Sequence, residues 1–332
     1  MKKPLAYLPA IPAIGTPSPP AAPEDLRGSE FIDLPKSTVA AAPATSLTDP
    51  EELVRSALAI LTGDKVAPRP TLDLPLPQLP PLRADTTPAN LGRPTSSPTA
   101  LPVQQRTLSD GGQCWLPIRY FDAQLLIATY LVEYDRAATL LKDTGVIAVP
   151  QGIGQALVAF GCFQYRKTDI GPYNEIGLTI LSTSPQSPVP ALYVLHLPVN
   201  TASANRAGHE IWGYNKFVAA IDIADAGARF SMTIRDPDDV TIATFEGTRD
   251  AAISMPPNDM VTFSILDGRL MRTVIQMMTP SQLGGGSFAL TIGASKHPMA
   301  DSLRTLGLDS LSPVLVQYAE PFQSLLFPGQ AV

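Results

Sequence analysis

Ten residues, Gly208-His209-Glu210-Ile211-Trp212-Gly213-Tyr214-Asn215-Lys216-Phe217, set one lysine among aromatic and apolar neighbours. The other lysines (Lys2, Lys3, Lys36, Lys65, Lys142, Lys167 and Lys296) stand beside prolines, charges or turn-formers and read as solvated. A solvated lysine, with a pKa of about 10.4, is a cation at neutral pH and a poor nucleophile. Burial disfavours the charged form and can lower that pKa by roughly 3–5 units, which frees an amine able to attack a carbonyl carbon. Lys216 is therefore the candidate nucleophile of a Schiff-base enzyme. The competing reading packs its stem along Trp212 or Phe217 and leaves the ammonium in water.

The elements that must position this lysine are mostly strands. From about residue 112 onward, apolar runs and alternations bounded by Gly, Pro, Asn and Asp predict strands over 116–120, 124–133, 154–164, 174–183, 191–198, 217–224, 228–235, 239–246, 268–278 and 286–293. Helices are expected at Asp135 to Lys142, Met299 to Leu306 and, as a short third, Pro321 to Leu326. The fold class is thus α+β and β-dominated: a curved antiparallel sheet or barrel-like core with a few peripheral helices. The triplet Gly284-Gly285-Gly286 has no following lysine or helix and reads as a turn, not as a phosphate loop.

Residues 1–110 are different material from the domain expected over 111–332. Of the chain's 35 prolines, 20 fall before residue 112, and such a Pro/Ala-rich stretch favours an extended arm over a packed core. Within it, Thr48-Asp49-Pro50-Glu51-Glu52 followed by an apolar stripe predicts one short amphipathic helix over 48–62. A net charge of −6 argues against nucleic acid and anionic membranes as partners. No run of 18 apolar residues occurs to span a bilayer. Prolines at 4, 9 and 12 interrupt the apolar start that would otherwise imitate a secretion signal. Cys114 and Cys162 lack metal-like spacing and read as reduced packing residues, so a cytoplasmic location is expected.

Residues 112–330 resemble the acetoacetate decarboxylase superfamily. Gly208-His209-Glu210-Ile211-Trp212-Gly213-Tyr214-Asn215-Lys216 is similar to the family's Gly-Arg-Glu, three variable residues, Tyr-Pro-Lys. Gly171-Pro172-Tyr173-Asn174-Glu175 resembles the segment that carries an active-site glutamate at the start of a strand. His297-Pro298-Met299-Ala300-Asp301-Ser302-Leu303 and Pro321-Phe322-Gln323-Ser324-Leu325-Leu326 resemble the family's C-terminal helix and tail. The resemblance implies a barrel-like core, a mostly apolar active-site cavity, a homo-oligomer, and no metal or organic cofactor. It matches Lys216 to the Schiff-base lysine and Glu175 to one active-site glutamate. It also marks departures. Phe217 stands where the family's decarboxylase has a second lysine, His209 replaces an arginine and Asn215 a proline. The arginine that holds a substrate carboxylate aligns with Ala123; Arg119 is close in sequence but not equivalent. No acidic residue lies between Glu175 and Gly208 to supply a second glutamate.

Without the second lysine, desolvation by Trp212, Tyr214 and Phe217 has to lower the pKa of Lys216. An iminium on Lys216 would serve decarboxylation of a β-keto acid, aldol chemistry or loss of a β-hydroxyl as water, with Glu175 as the candidate general acid and base. Tyr173, His209, Glu210, Trp212, Tyr214, Phe217 and Arg119 complete the expected binding set for a small carbonyl substrate. For His209 and Glu210 the alternative readings are a surface hydrogen bonder and a structural partner of a nearby backbone or arginine group. His196 reads as a satisfied core or barrel-facing histidine. The rival to a lyase is a non-catalytic protein that binds an apolar ligand, or acts as an accessory, on the same fold. The apolar face of the helix within the arm is expected to dock either on the chain's own globular body or, across a subunit interface, on a neighbouring subunit.

Overall fold

The computed structural model describes residues 104–332. The helix expected over 48–62 therefore lies outside the described residues. The described chain opens with a hairpin of β1 (Gln104–Thr107) and β2 (Gln113–Leu116), so ordered pairing begins inside the segment whose composition suggested an arm. There follow β3 (Ile118–Glu133), helix α1 (Tyr134–Leu141), two short strands β4 (Ile147–Ala148) and β5 (Pro150–Gln151), then β6 (Gln155–Thr168), β7 (Tyr173–Thr183) and β8 (Ala191–His196). Helix α2 (Ala202–Ala207) runs into a π-helical turn at Gly208–Trp212. The second half holds β9 (Ala220–Ala226), β10 (Arg229–Arg235), β11 (Thr241–Met255), β12 (Met260–Leu266), β13 (Arg269–Met277) and β14 (Ser281–Ile292). Helix α3 (Pro298–Leu306), β15 (Leu315–Leu326) and β16 (Gln330–Ala331) end it.

Seven strands close on themselves. β13, β12, β8, β7, β6, β3 and β15 lie edge to edge, and β15 pairs back onto β13 from Ile275↔Leu326 to Met277↔Ser324. All neighbours are antiparallel except β12 and β8, which meet in parallel through Thr262↔Leu192 and Phe263↔Tyr193. Beyond β15 the sheet continues through β14, β11 and β10 to β9 as a wing.

The two-residue period of a strand divides the barrel wall into two faces. On β3, β6 and β7 the even positions Leu126, Ala128, Tyr130, Val158, Phe160, Ile176 and Leu178 pack outward into one core with Met232, Ile234 and Phe245 of the wing and Met299, Leu303 and Leu306 of α3. The odd positions Leu125, Ile127, Ala159, Phe163, Tyr165 and Tyr173 face a second, inner cluster. Because both faces of these strands are covered, they read in sequence as near-continuous apolar runs. Helix α3 carries its own punctuation: His297 Nδ1 accepts the Met299 N–H, Pro298 opens the first turn and Gly307 ends it in the left-handed conformation.

Three expectations need correction. Pro321–Leu326 is not a helix but the end of β15, where Phe322, Ser324 and Leu326 are buried and pair with β3 or β13. The ladder on both sides satisfies a backbone that six residues of helix could not. The 116–120 and 124–133 segments form one strand from Ile118, with irregular pairing near Asp122 that absorbs the break in pattern. Gly284-Gly285-Gly286 lies inside β14, opposite an irregularity between Arg249 and Ala252 of β11.

Candidate active site

Lys216 stands just after the π turn. Thr201 caps α2 by accepting the Ala204 N–H, and the turn stops at Gly213, whose φ of 67° is left-handed. A Cβ on Gly213 would also lie 2.1 Å from the Ile265 carbonyl oxygen. The chain then runs extended beside residues 197–199: Leu197 N–H donates to Asn215 O, Val199 N–H to Phe217 O and Ala219 N–H to Val199 O. Val199 in turn bridges to Glu175 at the head of β7. One stretch of backbone thus lies between the lysine and the glutamate, and the Lys216 amine donates to Glu175 Oε2. Lys216 is only 8% exposed and Glu175 7%.

The lysine is held by its neighbours in the ten-residue motif. Its N–H donates to Tyr214 O at 2.8 Å, and the His209 ring donates from Nε2 to the Lys216 carbonyl at 2.7 Å. Its stem passes across Gly208, where an added Cβ would lie 2.1 Å from Lys216 Cε and 2.3 Å from Cδ. Gly208 has helical angles (φ −64°, ψ −41°) that any residue adopts. Its glycine is needed for space alone.

The amine and carboxylate open into a cavity of about 80 Å³ within the barrel. Its polar lining is chiefly Tyr120, Tyr165, Tyr173 and Tyr214, together with Thr179, Thr262 and Ser324; Phe163, Trp212 and aliphatic side chains supply much of the rest. Among the described residues, Lys216 and Glu175 are the only charged side chains that line it. Burial pulls the Lys216 pKa below its usual value and outweighs the neighbouring carboxylate, which pulls it up. Burial also raises the phenols, Tyr214 to about 12 and Tyr120, Tyr165 and Tyr173 well above the ordinary value, with the Glu175 charge adding to the rise in each. All four therefore stay protonated at neutral pH. Tyr120 and Tyr173 hydroxyls meet at 3.0 Å, Tyr165 donates to Glu175 Oε1 at 3.4 Å, and Tyr214 bonds Thr262 Oγ1 at 2.8 Å.

A reactive-looking lysine and glutamate inside a closed barrel find their match among known families. The family model for acetoacetate decarboxylase (ADC) aligns with residues 101–276, more than half of the chain. The chain belongs to the acetoacetate decarboxylase family. No curated protein matches it. Among solved structures it is similar to an acetoacetate decarboxylase from Legionella pneumophila subsp. pneumophila str. Philadelphia 1, at 15% identity over 74% of this chain and 97% of that one, with a TM-score of 0.52. A second acetoacetate decarboxylase structure aligns at 15% identity over 65% and 89% of the two chains, TM-score 0.51. The enduracididine biosynthesis enzyme MppR complexed with pyruvate aligns at 16% identity over 67% and 94%, TM-score 0.49. Membership of the acetoacetate decarboxylase family supports a lyase-type enzyme in general. Among the described residues no helix is long and apolar enough to cross a membrane.

The sequence pointed to nine residues, of which the family resemblance matched Lys216 and Glu175, and the structure gathers five of the nine. Lys216, Glu175, Tyr173, Trp212 and Tyr214 line the cavity. Arg119 does not: its guanidinium is bidentate to Asp169, and it lies between the inward-facing Ile118 and Tyr120, so strand alternation turns it outward. Phe217 follows the inward-facing Lys216 in an extended segment and turns to the other side, where its ring lies 3.9 Å from that of His297. A lysine at 217 would not face the Lys216 amine from there. Glu210 is exposed on the π turn and accepts from the Ser109 N–H and hydroxyl, which lowers its pKa. His209 is exposed too and acts on Lys216 only through the backbone. The sequence reading missed Tyr120 and Tyr165, which alternate with outward residues on β3 and β6, and it missed α2 despite the Thr201 cap and the alanines that follow.

Proposed function

We propose that this protein is an iminium-forming lyase in which Lys216 is the nucleophile and Glu175 carries the proton. The observation that supports this most is the contact between a buried amine and a buried carboxylate in a cavity that offers neither group another charged partner. As an ion pair both groups have lost their hydration. Moving the ammonium proton to Glu175 leaves a neutral amine beside a neutral acid, and the depressed pKa of Lys216 favours that state. The amine adds to a substrate carbonyl, and the acid protonates the oxygen of the resulting carbinolamine. Water then leaves as the iminium forms, with Glu175 again a carboxylate. The iminium draws in the electrons of a bond to the adjacent carbon, which breaks.

Borohydride trapping tests this reading. Incubation with a panel of small ketones, aldehydes and keto acids, followed by reduction, should add the mass of the reduced carbonyl compound to the intact protein. That adduct should vanish in Lys216→Met. Absence of any adduct across the panel would overturn the lyase reading and leave a protein that binds apolar ligands.

A further inference from the structure

The same cavity also limits what Lys216 can be offered, on the reading just given. A substrate carboxylate needs a cation or several donors when it leaves water. Among the described residues the only lining cation is Lys216, already against Glu175, and a second carboxylate beside Glu175 would meet like charge. Arg119, near in sequence, is committed to Asp169 outside the cavity. The cavity does offer hydroxyl donors. Tyr120 and Tyr173 together hold two hydroxyl protons and need only one for the bond between them. Among the described residues no other hydrogen bond uses the second proton. Both rings pack against Tyr165, at 4.5 and 4.7 Å between centroids, and the Tyr165 hydroxyl reaches Glu175.

We infer that the substrate is an uncharged β-hydroxy ketone whose hydroxyl oxygen is held by the Tyr120–Tyr173 pair, and that the bond broken is the aldol carbon–carbon bond. Once the ketone is an iminium on Lys216, the Glu175 carboxylate takes the β-hydroxyl proton. The bond between the α and β carbons breaks, its electron pair makes an enamine, and a neutral aldehyde or ketone departs. Glu175 returns the proton to the enamine carbon, and water releases the second ketone with restoration of the Lys216 amine. Decarboxylation is set aside because nothing binds the carboxylate. Dehydration would need Glu175 to take the α-proton and return it to the departing hydroxyl; it would turn 4-hydroxy-4-methyl-2-pentanone into 4-methyl-3-penten-2-one in place of acetone, and that product would overturn the assignment of the broken bond.

Two probe pairs on the full-length protein test this. Levulinamide and levulinate have nearly the same shape and differ in charge; borohydride trapping should be on the order of 100-fold faster with the amide, the scale of leaving one buried charge unpaired. 4-Hydroxy-4-methyl-2-pentanone should be cleaved to acetone, followed by proton NMR. Its trapping rate relative to 4-methyl-2-pentanone should fall by roughly 5–10-fold in both Tyr120→Phe and Tyr173→Phe, the scale of one hydrogen bond. Because each variant is judged by a ratio, partial loss of folded protein cancels. Equal trapping of levulinate and levulinamide overturns the inference and leaves the Lys216 reading standing, as does trapping of the hydroxy ketone without cleavage. No adduct with any of the four overturns both.

Discussion

Gly208→Ala isolates the threading of Lys216 from every other property of the site. The angles at Gly208 are helical, so alanine adds no backbone strain and by propensity alone would stabilise the helix by up to about 1 kcal/mol. Its methyl would instead lie 2.1 Å from Lys216 Cε, where non-bonded carbons stand about 3.5–4.0 Å apart. The lysine stem must therefore move by about 1.5 Å at the carbon that carries the amine. A shift near 1 Å in a reacting group costs about 100-fold in rate, so borohydride trapping should slow by about that factor. The atoms in the way are the end of a flexible side chain, so the fold should bear the change, with a melting temperature within about 5 °C of the parent, equivalent to one or two kcal/mol. Trapping kinetics and thermal unfolding of the same preparation decide it. A folded Gly208→Ala protein that traps ketones at the parent rate would refute the threading argument.

The remaining predictions concern charge. In Glu175→Gln the carboxylate that holds the Lys216 pKa up is gone, so the midpoint of adduct formation against pH should move to lower pH; an unchanged or higher midpoint would show that the carboxylate does not act on the amine. His196, bonded through Nε2 to Ser302 at 2.9 Å, has a pKa pushed down from 6.5 to about 4 by burial. Below pH 6.5 the unfolded chain takes up a proton that the folded one refuses. Stability should thus fall with pH between 6.5 and 4, by about 3 kcal/mol in all, and urea titrations of His196→Gln should lack that component. Arg119→Ala should leave trapping rates unchanged and cost about 1–3 kcal/mol by orphaning Asp169, read by denaturant unfolding.

How legible all this was depended on whether a residue's surroundings are local. The barrel strands β3, β6 and β7 announce themselves because both faces are covered and apolar residues crowd the run. Pro321–Leu326 misled because six residues seen alone do not disclose the two strands that flank them. Lys216 could not be recognised as buried from its own segment: Tyr120, Tyr165, Glu175 and Thr262 come from four strands spread over more than a hundred positions. The family resemblance supplied what local pattern lacked. Arg119 and Phe217, by contrast, were wrongly placed in the site on nearness in sequence, although the pattern held the signal to exclude them. Each is next to an inward-facing residue in an extended stretch, and strict alternation removes both from the cavity. Gly208 was visible as a motif residue, but its purpose is a close approach that only coordinates display.

The hairpin ahead of the barrel gives the fold a mechanical asymmetry. Its loop grips α2 and the π turn through Ser109 on Glu210 and Asp110 on Arg206, while the rest of the chain preceding Gln104 is joined covalently to β1. Loosening of that loop is felt first by the helical turn it touches, at the end of the hairpin away from β3. That turn is the one on which Gly208 makes way for the Lys216 stem, so the hairpin loop braces the segment that holds the Lys216 amine in the cavity.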